Sequence, residues 1–266
     1  MKQKLYILKI GGKVLSDPQA CKALLQSFAA IDSAKLLVHG GGKTGTEIAE
    51  KLGVKTKMVE GRRITDEAML EVAMMVYGGL MNKGVVAQLQ ALGENALGLT
   101  GADMDVIRSV KRPVKKIDYG FAGDIIKVND GKLKMLLDAG ILPVMAPLTH
   151  DGKGQMLNTN ADTIAATVAR SLSAHFEVHL VYSFEMPGVM KNPEDKSSLI
   201  PQLNVDSYAE YKAAGIIAGG MIPKLDNAFS ALQEGVNKVY ICHASALAQI
   251  GKSDFRGTQI SLNKSP

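Results

Sequence analysis

The chain has no tryptophan, only two cysteines, and aromatic residues make up just 5% of its length. Each shortage excludes something. Cys21 and Cys242 lie far apart, with no CxxC pair and no Cys/His cluster around either. That pattern argues against a structural zinc site and fits small buried thiols in a reducing compartment. No apolar run is long enough to cross a bilayer. The opening residues, Met1-Lys2-Gln3-Lys4, lead straight into a strand pattern, without the apolar stretch and cleavage site of a signal peptide. The expected location is therefore cytoplasmic, with no membrane partner. Dense Lys/Arg runs interleaved with aromatics are also missing, so nucleic acid is not an indicated partner. Internal repeats and low-complexity tracts are absent.

What remains is a chain of 266 residues, 46% of them hydrophobic, with thirteen methionines among the core formers. That is enough for one large α/β domain or two joined lobes. The net charge of +5 suits anionic small molecules such as nucleotides and carboxylates.

Short apolar strand patterns alternate with helical ones from end to end. Strands are predicted at 5–10, 35–39, 96–99, 106–110, 124–128, 141–146, 176–182 and 238–242, with a last edge strand at 258–262. Helices are predicted at 18–31, capped by Ser16 or Asp17, and at 44–52, 132–139, 161–172, 205–214 and 221–234. A long helical stretch over 66–92 is expected to break near Gly78-Gly79. Hairpins are expected at 57–64 and around Asp151-Gly152, and a loop over 185–204. This alternation predicts a mostly parallel sheet with helices on both faces.

Gly11-Gly12 follows the first strand, and Gly40-Gly41-Gly42 follows the second. At the carboxyl ends of parallel strands such turns let backbone N–H groups approach an anion. Gly42-Lys43-Thr44 looks like the end of a Walker A loop, but Leu37 stands where its first glycine is required. Gly40 to Gly45 satisfies GxGxxG with Glu60 downstream, which makes a nicotinamide-binding oxidoreductase the rival reading. The short helix and hairpin that follow weigh against it.

The ordered set Leu8-Lys9-Ile10-Gly11-Gly12, Val38-His39-Gly40-Gly41-Gly42, Gly61-Arg62-Arg63-Ile64-Thr65-Asp66, Met81-Asn82-Lys83, Gly98-Leu99-Thr100-Gly101, Leu157-Asn158-Thr159-Asn160-Ala161-Asp162 and Gly219-Gly220-Met221-Ile222-Pro223-Lys224 spans nearly the whole chain. With these motifs the sequence resembles the amino acid kinase family, and within it the members that phosphorylate the side-chain carboxylate of N-acetylglutamate. The resemblance implies a three-layer αβα sandwich around a mainly parallel open sheet. Residues 1–173 would form an N-terminal lobe for the acylated amino acid and for dimerisation, and residues 174–266 a C-terminal lobe for ATP. Other members of the family act on different carboxylates or on carbamate, and these are the nearest alternatives.

Roles follow by resemblance. Lys9 and Lys224, which from position alone read as solvated lysines, become stabilisers of the transferring phosphoryl group. Asp162, otherwise a first-turn acid favoured by the helix dipole, becomes the carboxylate that orients both. Gly12, Gly41 and Gly42 supply N–H groups. Arg63 holds the substrate α-carboxylate through its two-donor fork, and Asn158 hydrogen-bonds the same substrate. Gly11, Glu185, Gly188 and Gly220 are nucleotide-pocket candidates, and Mg²⁺ is expected to arrive on the ATP phosphates. His39 is assigned a structural role, and none of the five histidines a catalytic proton.

Two departures stand out. The nucleotide-lobe segment usually reads Thr-Asp-Val-x-Gly-Val, whereas here it is Phe184-Glu185-Met186-Pro187-Gly188-Val189. Arg62 replaces the usual leucine before Arg63. That extra cation points to a larger, acidic acyl group such as succinyl, so the expected substrate is N-acetyl- or N-succinyl-L-glutamate. The early first strand implies the arginine-insensitive, homodimeric type.

Overall fold

A computed structural model describes residues 2–59, 62–192, 194–219 and 221–262. Strand β1 (Lys4–Ile10) is followed by a single turn, α1 (Gly12–Leu15), and by α2 (Pro18–Ala29). Asp17 caps α2, accepting bonds from the backbone N–H groups of Gln19 and Ala20. Next come β2 (Ala34–His39), α3 (Gly42–Lys51) and a hairpin of β3 (Lys57–Val59) and β4 (Arg62–Ile64). The hairpin replaces the third parallel strand that a dinucleotide-binding unit would need. Glu60, the acid of that rival reading, lies outside the described residues.

The 66–92 stretch does not break at its glycines. Helix α4 (Glu67–Ala73) runs into a π-helical segment, Met74–Met81, and on into α5 (Asn82–Ala91). The wider turn absorbs Gly78 and Gly79 within one continuous rod, where helix propensity alone predicted an interruption. The chain continues through β5 (Ala96–Leu99), β6 (Ile107–Lys111), β7 (Gly123–Val128), α6 (Asp130–Asp138), β8 (Leu142–Met145), β9 (Leu148–His150) and β10 (Met156–Asn158). After α7 (Ala161–Leu172) come β11 (Glu177–Phe184), β12 (Gln202–Leu203), α8 (Val205–Ala213), α9 (Met221–Gln233), β13 (Lys238–His243) and β14 (Gly257–Ile260). The predicted loop over 185–204 thus holds a short strand, β12, at its end.

The main sheet has the order β12-β14-β13-β11-β1-β2-β8-β5. It is parallel except between β13 and β14, which run antiparallel. The last strand is not at an edge as predicted, because β12 pairs on its outer side. β6, β7, β9 and β10 form a second, smaller sheet.

Strand β1 is central, flanked by β2 on one side and β11 on the other, so the chain order reverses across it. Such a switch point opens a crevice at the carboxyl ends of the strands. Side chains alternate along β1. Leu5 and Ile7 join the core cluster that contains α7 and α9 residues such as Ile164, Val168, Leu225 and Phe229. Tyr6, Leu8 and Ile10 join the opposite cluster with Leu24, Leu25 and Phe28 of α2. The parity that buries Leu5 and Ile7 sends Lys9 to the α7 and α9 face at the crevice. In β11 the same alternation puts Val178, Leu180, Tyr182 and Phe184 on that face.

Candidate active site

Lys9 is buried, 7% exposed, and its Nζ lies 2.7 Å from Asp162 Oδ1. The contact is an ion pair off the axis of an aligned hydrogen bond. Asp162 reaches it from the first turn of α7, whose N-cap Asn160 accepts from the Thr163 N–H. Lys224, in the first turn of α9, comes close enough to feel both charges. Its Nζ sits 3.9 Å from the centroid of the Phe184 ring, and Lys9 Nζ lies 5.9 Å from the same ring. Burial lowers the pKa of Lys224 below the usual lysine value, Asp162 counters that, and the charge of Lys9 adds to the lowering. The three charged groups therefore share one electrostatic environment, although they come from three distant stretches of sequence.

The two glycine turns meet beside them. A Cβ on Gly12 would touch the backbone nitrogens of Gly41 and Gly42 at 3.4 Å, and the Gly40 N–H donates to Ile10 O at 2.9 Å. Gly41 needs its hydrogen for steric reasons, because a Cβ there would lie 2.5 Å from the Tyr77 ring and 2.8 Å from Met81 Sδ. Tyr77 and Met81 belong to the π-helical segment, which is thus wedged under the turn. From the next strand end, His39 is wholly buried. Its Nδ1 pairs with Gly40 O at 2.9 Å, and its Nε2 meets Asn82 Nδ2 at 3.1 Å. Burial pushes its pKa down to about 4, so the ring is neutral, donating from Nδ1 and accepting at Nε2.

Arg63 lies across the turn from the hairpin. Its Nη2 donates to Gly42 O at 2.8 Å and to Thr46 Oγ1 at 2.7 Å. Asn158 donates to Thr65 Oγ1 at 3.0 Å, which ties β10 to the residue that follows the Arg63 strand. Lys9, Gly12, Gly41, Gly42, Arg63, Asn158 and Asp162 line one cavity of about 270 Å³, together with Arg62, Tyr77 and Arg112. Arg112 is paired with Asp124.

The nucleotide-pocket candidates are more dispersed. Glu185 lines a separate cavity of about 620 Å³ with His243 and Arg256, beyond the carboxyl ends of β11 and β13. Gly188 is pressed against β14, where a Cβ would come within 2.6 Å of Thr258 Oγ1, and packing accounts for its glycine. Gly11 has open space around it, and Gly220 lies outside the described residues. Among the described residues no three His, Cys, Asp or Glu side chains gather as a metal site. No helix of the described residues is long and apolar enough to cross a membrane.

Sequence reasoning missed Tyr77, Arg112 and Phe184. Asn82 lay within a quoted motif, but only the fold puts it on His39. Phe184 was visible as a departure from the resembled pattern, without a hint of what it touches.

A crevice at a topological switch point, lined by the glycine turns and Lys9 with Lys224 close by on the Phe184 ring, defines a protein that brings anions together. The chain belongs to the amino acid kinase family, whose sequence profile matches residues 4–243. It is 58% identical to the acetylglutamate kinase of Phocaeicola vulgatus over 247 residues, 93% of this chain and 96% of that protein. It is 55% identical to the acetylglutamate kinase of Bacteroides thetaiotaomicron over 260 residues, 98% of this chain and 99% of that one. Carbamate kinase from Giardia lamblia bound to AMP-PNP superposes with a TM-score of 0.73 over 98% of this chain and 99% of that chain. At 13% identity that last likeness is one of fold alone.

Proposed function

We propose that the chain is an ATP-dependent kinase that phosphorylates the side-chain carboxylate of an N-acyl-L-glutamate, a reading supported by its relatives named acetylglutamate kinase. The observation that carries the reading is the convergence of Lys9, Asp162 and Lys224 beside the paired glycine turns. An acceptor carboxylate with a pKa near about 4.3 is already ionised at neutral pH, so no general base is required. The barrier is repulsion between that anion and the triphosphate, and catalysis is positioning plus charge stabilisation.

In this reading a carboxylate oxygen forms a bond to the γ-phosphorus as the bond from that phosphorus to the β,γ-bridging oxygen breaks, and ADP leaves. Lys9 and Lys224 neutralise the transferring group. Asp162 keeps the two ammonium groups from repelling each other out of the crevice. The N–H groups at Gly12, Gly41 and Gly42 take up charge on the oxygens, and Arg63 and Asn158 hold the amino-acid end. The division near residues 173 and 174, in the turn between α7 and β11, separates the acyl-substrate half from the nucleotide half. The cavity at Glu185 is where the nucleotide base end fits, and Mg²⁺ enters with the phosphates.

A second reading concerns the acyl group. Arg62 and Arg112 line the same cavity as Arg63, and both also line an outer cavity of about 700 Å³ with Lys115 and Lys116. This cationic wall supports an acyl chain that ends in a carboxylate, such as succinyl. Homodimerisation is supported by the exposed apolar face of the π-helical segment, Met74, Met75 and Leu80, and by exposed Leu97 on the sheet-edge strand β5. Location in the cytoplasm belongs to the same proposal.

An ADP-coupled assay with N-acetylglutamate, N-succinylglutamate, free glutamate and carbamate, side by side, tests the reading. Turnover confined to the acylated glutamates supports it, and activity on carbamate alone refutes it. A clear preference for acetyl over succinyl removes the acidic-acyl reading.

A further inference from the structure

We propose that Phe184 is a positioning residue for phosphoryl transfer, its ring face being the seat on which the Lys224 ammonium is held charged and aimed. This rests on the reading of Lys224 as a transfer group. Among the described residues no carboxylate forms a salt bridge with Lys224, whereas Lys9 is paired with Asp162. The Phe184 ring takes that place for Lys224, with Nζ at 3.9 Å from the centroid, and lies within reach of Lys9 at 5.9 Å. The negative face of an aromatic ring attracts an ammonium group, more so where water is displaced.

The ring is itself fixed. It stacks on Tyr182, two residues earlier on the same face of β11, with centroids 6.2 Å apart and planes 9° from parallel. Tyr182 is buried at 4% exposure within the main core cluster. A rigid strand therefore sets where the ring sits, and the ring sets where the lysine tip rests.

The chemistry explains why a π face suits this place. The groups facing Lys224 are Asp162 from α7, Lys9 from β1, and Phe184 from β11. Behind the ring, the Tyr182 hydroxyl feels Asp162 and Arg170 of α7. Burial and Lys9 both favour loss of the Lys224 proton, and Asp162 alone opposes them. A second carboxylate would oppose them too, but it would repel an incoming triphosphate. An aromatic face stabilises the cation without adding an anion, and it releases the ammonium to a stronger partner when phosphate oxygens arrive.

The experiment compares the full chain with Phe184→Leu, Phe184→Met and Phe184→Tyr. Two quantities are measured against pH: acetylation of Lys224 by an amine-directed reagent, read by mass spectrometry without substrates, and kcat with saturating ATP and acyl-glutamate. Loss of the ring lowers the Lys224 labelling midpoint by about half to one and a half pH units. The alkaline limb of kcat moves by the same amount, the KM for acyl-glutamate is unchanged, and Phe184→Tyr retains the wild-type profiles. Phe184→Met, apolar and flexible, serves where Leu unsettles the fold. A labelling midpoint that does not move in Leu or Met overturns the seat. A midpoint that moves while the kcat limb stays fixed overturns its part in turnover. A wild-type chain that turns over no acyl-glutamate overturns instead the reading of the site on which the inference rests.

Discussion

The two sides of the crevice are built differently. On the β2 side the groups are locked by polar bonds before any substrate arrives. Arg63 is bonded to Gly42 and Thr46, Asn158 to Thr65, and His39 to Gly40 and Asn82. On the β11 side Lys224 rests on a ring, and Glu185 lines a wide separate cavity with Arg256. A small acceptor that must be held in one orientation suits the first construction. A nucleotide that brings its own charge and its own metal suits the second. Under the proposed assignment of the acceptor to the β2 side and the nucleotide to the β11 side, preorganisation is concentrated where the substrate is small and the geometry least forgiving.

That contrast can be broken experimentally, most forcefully at the centre. Lys9→Ala removes the cation paired with Asp162, and kcat is expected to fall about a hundredfold or more. The partner Asp162 is left partly buried with only Lys224 to offset its charge, so a modest loss of stability accompanies it, read by urea unfolding. Turnover near that of the unaltered chain rejects the role of Lys9. Next, Arg63→Ala is expected to raise the KM for acyl-glutamate about ten- to a hundredfold, while the KM for ATP stays near normal. Weakened ATP binding instead would place Arg63 on the wrong side.

A third test reads the rigidity of the β2 side through His39. Its pKa is about 6.5 in the unfolded chain and about 4 in the fold. The unfolded chain therefore takes up more protons between those values, and stability falls as pH drops from 6.5 towards 4. The full contribution, about 3 kcal/mol, is present above 6.5. Denaturant midpoints across this range should show a steeper acid loss in the unaltered chain than in His39→Gln, and equal slopes would contradict the buried neutral ring. The smallest effect is expected at Leu80→Lys on the exposed apolar face. Sedimentation should show the proposed dimer weakened by about tenfold or more with the monomer fold intact. A sedimentation profile identical to that of the unaltered chain rejects this face as the interface.

Much of the architecture was legible because local rules and global fold agree. Helix α7 was predicted at its observed bounds, ahead of a predicted strand. Lys9 and Asp162 were legible as charged residues at a strand end and in a helix first turn. Their meeting was implied by family resemblance, and it follows physically from the alternation along β1. Other features were not legible. The π-helical segment passes through two glycines that propensity reads as a break, and only packing of Tyr77 and Met81 under the Gly41 turn explains its continuity. The place of β14 inside the sheet depends on pairing with β12, two residues within what reads as a loop. Arg112 reaches the cavity through a sheet whose order cannot be read from spacing, and the ring under Lys224 is a contact between residues forty positions apart.

Under the proposed function, Lys9 from β1 and Lys224 from α9 both meet the transferring phosphoryl group. Rapid-quench single turnover of Lys224→Ala, with ATP and acyl-glutamate saturating, tests it most directly. The account predicts that the chemical step slows about a hundredfold or more while nucleotide binding and the unfolding midpoint stay close to those of the unaltered chain. A chemical step at the unaltered rate would contradict it.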